Sequence, residues 1–96
     1  MPKGYVIANV DVTNPEAYAD YARQVPATIE QYGGRYLVRG GDQVTKEGEA
    51  PLPRTVILEF PSLEQAQAWY DSPEYQAVVG IRHENATNKM YLVEGI

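Results

Sequence analysis

The sequence predicts one α+β domain, a sandwich in which a four-stranded antiparallel sheet carries its helices on one face. Four short segments alternate or are rich in β-branched residues, as strands are. Two longer segments repeat apolar residues at helical spacing. The segments follow one another as strand, helix, strand, strand, helix pair, strand, and this order of two split βαβ units predicts a βαββαβ sandwich. The 96 residues suit a single domain, residues 1–96.

The first half of the chain is predicted to form a strand, a helix and a second strand. Residues 5–12 alternate and form the first strand. Asn-Pro-Glu at 14–16 predicts a helix start, since Asn caps free N–H groups and proline suits the first helical position. Pro26 is expected to kink or divide this helix, because proline lacks the N–H that the helix needs. Glycines at 33–34 end it, and residues 36–39 form the second strand.

The second half begins, after a polar loop over 40–53, with a strand over 54–60. Ser62 then caps a helix and has capping-box spacing to Gln65. Ser-Pro-Glu at 72–74 starts another helix in the same way as 14–16. Residues 89–94 form the last strand. The whole order is that of the ferredoxin-like sandwich.

The composition excludes several classes of partner. A net charge of -5 argues against nucleic acid and anionic membranes, which require a basic surface. No apolar run approaches the roughly 20 residues of a membrane span, and no signal peptide is visible. The absence of cysteine removes disulfides and thiol chemistry and fits a cytoplasmic protein.

One face of the predicted sheet has no helix to cover it. Its assigned residues are apolar and charged together: Tyr5, Ile7, Asn9, Asp11, Leu37, Arg39, Thr55, Ile57 and Glu59. A contiguous patch of this kind marks an interaction site, so we expect a two-fold homodimer with the open sheet faces packed together. Arg39 and Glu59 fall on neighbouring strands of this face, where a structural ion pair is expected ahead of a catalytic role.

Two segments together resemble a known family. They read Tyr-Gly-Gly-Arg-Tyr-Leu-Val-Arg-Gly-Gly at 32–41 and, between 59 and 75, Glu-Phe-Pro-Ser followed by Ala-x-x-Trp-Tyr-x-Ser-Pro-Glu-Tyr. With Arg82 and Gly95 they make nearly the whole chain similar to the domain-of-unknown-function 1330 family. The resemblance implies a dimeric α/β barrel, built from two ferredoxin-like subunits. Related families include antibiotic-biosynthesis monooxygenases and muconolactone isomerases, so no single reaction is implied.

Aromatic residues and arginines are the candidate ligand-binding residues. Eight tyrosines and one tryptophan are many for 96 residues. They build either a core with polar-tipped aromatics or a pocket for a flat or carbonyl-bearing ligand. In the second case Trp69, Tyr70 and Tyr75 line the pocket, and Arg39 or Arg82 holds an anionic group of the ligand.

His83 is the only histidine and the candidate for proton transfer. A cationic side chain also stabilises the C-terminal end of a helix, and this structural role requires no catalytic function. The structural role is the favoured interpretation of His83. Pro2 would offer an amine base after removal of Met1, as in tautomerases, but the chain does not otherwise resemble one. One histidine without cysteine gives no metal site, and the glycine pairs lack phosphate-loop spacing, so no cofactor is predicted.

The leading prediction is a homodimer that binds a small organic ligand in an aromatic pocket. If it is an enzyme, cofactor-free proton transfer or oxygenation suits the superfamily best. The alternative is a non-catalytic dimerisation or regulatory module. A cavity lined by Trp69, Tyr70 and His83 would favour the first, and a filled core with those side chains satisfied internally the second.

Overall fold

The computed structural model describes residues 2–96, and its elements follow the predicted order. The strands are β1 (Gly4–Val12), β2 (Arg35–Arg39), β3 (Arg54–Phe60) and β4 (Ala86–Glu94). They form one antiparallel sheet in the order β2-β3-β1-β4. The helices are α1 (Pro15–Gln31), α2 (Leu63–Asp71) and α3 (Pro73–Asn85). The predicted ferredoxin-like sandwich is confirmed, and none of the described helices is long and apolar enough to cross a membrane.

Each helix begins at its predicted cap. The side chains of Asn14, Ser62 and Ser72 each accept a hydrogen bond from a backbone N–H three residues further on. The reciprocal capping-box bond does not form, because the Gln65 amide donates to the Tyr32 carbonyl, 2.9 Å away. This bond attaches the start of α2 to the end of α1.

The helix α1 continues through Pro26 and is not divided there. Proline has no N–H to donate to the carbonyl of Ala22, four residues earlier. The Nη2 of Arg39 donates to that carbonyl instead, at 3.2 Å. The proline that interrupts the helical hydrogen bonds therefore provides an acceptor that joins β2 to α1.

An irregularity in β2 changes the predicted faces of this strand. The register shifts between Tyr36 and Val38, so that Val38 pairs with Ile57 and Arg39 pairs with Val56. Such a bulge reverses which side of the sheet the following residues face. Arg39 consequently lies on the helix side and Val38 on the opposite side, and the sequence-based assignment of these two residues is wrong.

The predicted pairing of Arg39 with Glu59 is also wrong, and here the register of β2 against β3 is the reason. Arg35, before the bulge, is the residue opposite Glu59. Its Nε lies 2.9 Å from Glu59 Oε1. Alternation along β2 cannot reveal the bulge, because the strand is only five residues long.

The core lies between the sheet and the helices. β1 and β3 contribute alternate residues, as predicted, and the helices contribute mostly aromatic ones. The buried apolar residues are Val6, Ala8, Val10, Tyr18, Tyr21, Val25, Ile29, Leu58, Phe60, Ala66, Trp69, Tyr75, Val78 and Val79.

Candidate functional site

A narrow cavity lies between α1 and the sheet. It encloses about 30 Å³ of free space, enough for one or two water molecules, and it opens to the surface. Aliphatic side chains of β1 and α1 form much of the wall. Its polar and aromatic lining consists of Tyr18, Tyr21, Tyr36, Arg39, Arg54, Trp69 and Arg82.

Trp69 lines this cavity and is 1% exposed. Its ring centroid is 4.1 Å from that of Tyr75 and 5.4 Å from that of Phe60. Its indole N–H donates to Thr28 Oγ1, 3.0 Å away. The polar atom of Trp69 is therefore satisfied within the protein and is not free for a ligand.

A pair of tyrosine hydroxyls lies beside the cavity. The hydroxyl oxygens of Tyr21 and Tyr75 are 2.8 Å apart. Burial raises the pKa of Tyr75, and the charge of Arg82 opposes the rise. Burial also raises the pKa of Tyr21, and the neighbouring Tyr75 adds to the rise. Both phenols are therefore neutral hydrogen-bond donors and acceptors at neutral pH.

Arg82 is the most unusual residue of the site. It lies in the last turn of α3, is only 3% exposed, and its guanidinium carbon is 5.9 Å from the centroid of the Tyr21 ring. Its pKa is raised, since the neighbouring Tyr75 and Tyr21 outweigh the lowering by burial, so it remains a cation. Its Nε is buried without a hydrogen-bond partner, and within residues 2–96 no carboxylate pairs with it.

Arg39 lies on the exposed side of the cavity. Its guanidinium stacks 4.5 Å from the centroid of the Tyr36 ring and donates to the Ala22 carbonyl. Burial raises the pKa of Tyr36, and Arg39 opposes the rise. Arg39 thus has a structural explanation of its own, although its position also allows contact with a ligand.

Arg54 belongs to the same cavity and was missed in the sequence. The signal was present, since Arg54 precedes Val56 by two residues and alternation places both on the helix face of β3. Its Nε, like that of Arg82, is buried without a hydrogen-bond partner. Gly40, with a φ of 72°, packs against its guanidinium, and any side-chain carbon at that position would overlap with it.

The other predicted site residues are not all brought together. Tyr75 lies behind Trp69, while Tyr70 lines a separate depression of about 220 Å³ between α2 and β4. His83 is exposed on α3 and does not line the cavity, although it follows Arg82 directly. The idea of an N-terminal proline base depends on Met1, which lies outside the described residues.

The uncovered side of the sheet, which we call the outer face, is organised differently. It carries a paired charge cluster, in which Glu59 accepts hydrogen bonds from Arg35 Nε at 2.9 Å and from the Tyr5 hydroxyl at 3.1 Å. Beside this cluster lies an apolar surface formed by Ile7, Val38, Ile57, Tyr91 and Val93. Tyr91 is 60% and Val93 44% exposed.

The sheet order and the cavity between layers define the protein as a member of the ferredoxin-like α+β class. The chain belongs to the family described as "Domain of unknown function (DUF1330)", whose profile matches residues 3–96. The resemblance seen in the sequence is therefore confirmed. The sequence has no significant match among curated proteins.

Solved structures with this fold include proteins of known and unknown function. RPA0582 of Rhodopseudomonas palustris, of unknown function, is 21% identical with a TM-score of 0.76, over 99% of this chain and 83% of that one. SnoaB of Streptomyces nogalater, a cofactor-independent oxygenase, is 8% identical with a TM-score of 0.65, over 97% and 92% of the chains. A dimeric ferredoxin-like protein of unknown function from Thermobifida fusca is 15% identical with a TM-score of 0.54, over 97% and 91%. At these identities the likeness concerns the fold alone.

Proposed function

We propose that this protein is a homodimer that binds a small organic ligand in the cavity between its helices and its sheet. The observation that carries the proposal is Arg82, a cation that is 3% exposed and pairs with no carboxylate of the described chain. Burying a charge without a partner is costly, so such a group is retained where something outside the chain completes it. The position of Arg82 on the cavity wall indicates where that partner binds.

The proposed dimer forms through the outer face. Exposed Tyr91 and Val93 lie on the edge strand β4, next to half-buried Ile7 on β1, which in turn pairs with Ile57 on β3. A contiguous apolar patch of this kind is a typical interaction surface. An interface of ordinary size would bury about 800 Å² on each subunit. The dimeric relative from Thermobifida fusca has the same fold and is consistent with this arrangement.

Whether the protein is an enzyme is a separate question. The similarity in fold to SnoaB keeps cofactor-free oxygenation as a candidate reaction, and proton transfer by His83 stays a prediction, as does the cytoplasmic location. The alternative, a non-catalytic dimerisation or regulatory module, is favoured by the nearly filled core and by the internally satisfied indole of Trp69. We favour ligand binding over the non-catalytic module because no carboxylate of the described residues pairs with Arg82.

A native mass spectrum of freshly purified protein tests the proposal. A dimer with additional bound mass is the expected result. A dimer without additional mass would favour the non-catalytic module, and a monomer would overturn the proposed use of the outer face.

His83→Ala tests the proton-transfer role once a ligand or activity is in hand. If His83 transfers protons, turnover falls while ligand affinity is retained. Unchanged turnover would exclude His83 from the mechanism. We expect this result, because His83 is exposed on α3.

A further inference from the structure

The distribution of arginine in this protein is uneven. The chain has five arginines and a net charge of -5, yet Arg39, Arg54 and Arg82 line the same small cavity. The other two are paired with carboxylates on the surface: Arg23 with Asp20 and Arg35 with Glu59. Among residues 2–96 no carboxylate pairs with any of the three cavity arginines.

Two of these arginines have hydrogen-bond donors without a partner in the protein. The guanidinium of Arg39 is partly accounted for, because it donates to the Ala22 carbonyl freed by Pro26. Arg54 and Arg82 each keep a buried Nε without a hydrogen-bond partner. An unsatisfied buried donor destabilises the protein, and more so when it is charged. A pair of such donors around one space indicates that an acceptor is supplied from outside the chain.

Gly40 leaves room for the guanidinium of Arg54. Its φ of 72° favours glycine, and any side-chain carbon at position 40 would overlap with the guanidinium. The guanidinium also lies close enough to Tyr36 to oppose the rise in the pKa of that phenol. The backbone at the end of β2 therefore makes room for Arg54 beside the cavity.

The rest of the lining is apolar. Val6, Ala8 and Val10 on β1 and Val25 and Ile29 on α1 also line the cavity. A hydrated inorganic ion gains nothing from such a lining, whereas an organic acid presents its charge to the guanidinium groups and its hydrocarbon part to apolar side chains. A carboxylate has two oxygens with geometry suited to arginine. The free space of about 30 Å³ holds little more than that group, so the hydrocarbon part of the ligand lies at the opening of the cavity.

We infer that the ligand is a small organic carboxylate with an apolar body, and that Arg54 and Arg82 bind its carboxylate group. This inference rests on the proposed ligand-binding function and assigns Arg54 a role that the sequence did not suggest. Arg39 supplies further positive charge around the same group. The neutral hydroxyls of Tyr21 and Tyr36 supply hydrogen bonds to it.

Calorimetric titration of the purified protein with benzoate, and with benzamide as its uncharged counterpart, tests the inference. We expect benzoate to bind at least tenfold more tightly than benzamide. Arg54→Gln should weaken benzoate binding roughly tenfold or more, the usual effect of losing a charge-assisted hydrogen bond. Arg23→Gln is the matched control, since it removes an exposed arginine outside the cavity, and it should change benzoate affinity less than twofold.

Arg54→Lys provides a second variant. It keeps the charge but loses the planar fork, so its affinity for benzoate should lie between those of the native protein and Arg54→Gln. Far-ultraviolet circular dichroism of both variants checks that they are folded. If both retain the native affinity, Arg54 does not bind the carboxylate and the inference is overturned.

The remaining outcomes separate this inference from the proposed function. Equal binding of benzoate and benzamide would leave the cavity as a ligand site and overturn the carboxylate class. Chloride that displaces benzoate at equal concentration would show a site for simple anions and would also overturn it. If neither compound binds and the protein carries no additional mass, both the inference and the proposed function fall.

Discussion

The two faces of the sheet differ in whether their charged side chains have hydrogen-bond partners. On the outer face, the carboxylate of Glu59 accepts hydrogen bonds from Arg35 and Tyr5, so the charged groups complete one another. On the helix face, Arg54 and Arg82 meet apolar side chains and neutral phenols, and their buried Nε atoms have no partner. The solvent-accessible Arg35 and Glu59 are paired although water could solvate them, while the buried Nε donors of Arg54 and Arg82 have no partner.

Under the proposed ligand-binding function, this difference separates charged groups that support the structure from charged groups that await a ligand. A surface ion pair adds little to stability and requires no function. An unpaired buried cation reduces stability, and a protein keeps such a group when it is completed by binding. The outer face in turn has unused apolar surface rather than unused charge, which fits another protein surface better than a small ligand.

Trp69→Ala tests the helix face with the largest expected effect. It removes a 1% exposed indole that contacts Phe60 and Tyr75, and it leaves Thr28 without its donor. We expect the free energy of unfolding to fall by about 3–5 kcal/mol. Urea unfolding measures this change. It is followed by circular dichroism rather than by tryptophan fluorescence, because the substitution removes the only tryptophan. Trp69→Phe keeps most of the contact surface and should lose less; equal losses would contradict this account.

Tyr91→Lys tests the outer face. The side chain is 60% exposed in one subunit, so folding should be little affected, but in the proposed dimer the lysine of each subunit would be buried in the interface. We expect the dimer dissociation constant to rise at least tenfold, or about 1.4 kcal/mol and more. Sedimentation velocity over a concentration series measures it.

Val44→Lys is the matched control for that substitution. Val44 is also apolar and is 76% exposed, but it lies in the loop between β2 and β3. It should leave the dissociation constant unchanged. A dimer that tolerates Tyr91→Lys and dissociates with Val44→Lys would place the interface at the loop and away from the outer face.

The fold could be predicted from the sequence because its signals are local. Caps at Asn14, Ser62 and Ser72 mark the helix starts, and alternation along β1 and β3 identifies the buried face. The partner and the face of Arg39 could not be predicted, because the register and the bulge of β2 both depend on how this strand fits β3. The role of Pro26 likewise depends on a tertiary contact, the bond from Arg39 to Ala22.

The candidate site could be predicted only in part. Arg82 and His83 are neighbours in sequence, yet successive helical residues face different directions, so one is buried and the other exposed. Trp69 was expected at the cavity and lies there, while Tyr70, the next residue, faces another depression. Arg54 could have been included by extending the alternation of β3 by two residues, whereas its unsatisfied Nε is visible only in three dimensions.

Arg82→Met examines whether the unpaired cation is structural. Methionine keeps much of the volume and removes the buried charge, so the free energy of unfolding should not fall and should rise by about 1 kcal/mol. Urea unfolding without added ligand measures it. Arg35→Met on the outer face should instead lower stability slightly, because it breaks a satisfied pair. A large loss for Arg82→Met would mean that the arginine supports the fold, and the contrast between the faces would disappear.

Glu59→Gln gives the smallest effect and tests the paired charge directly. The hydrogen bond from Arg35 holds the pKa of Glu59 below its ordinary value of 4.5, the Tyr5 hydroxyl acts in the same direction, and partial burial opposes both. A folded-state pKa below the unfolded value means that ionised Glu59 contributes stability above pH 4.5 and that this contribution is lost as the pH falls through the lowered pKa. We therefore expect the variant to be slightly less stable than the native protein at pH 7, with a difference that shrinks steadily between pH 5 and pH 3. Thermal unfolding across that range measures the difference. A gap that stays constant with pH would mean that the pair does not persist in solution, and that the outer face is held by its apolar residues alone.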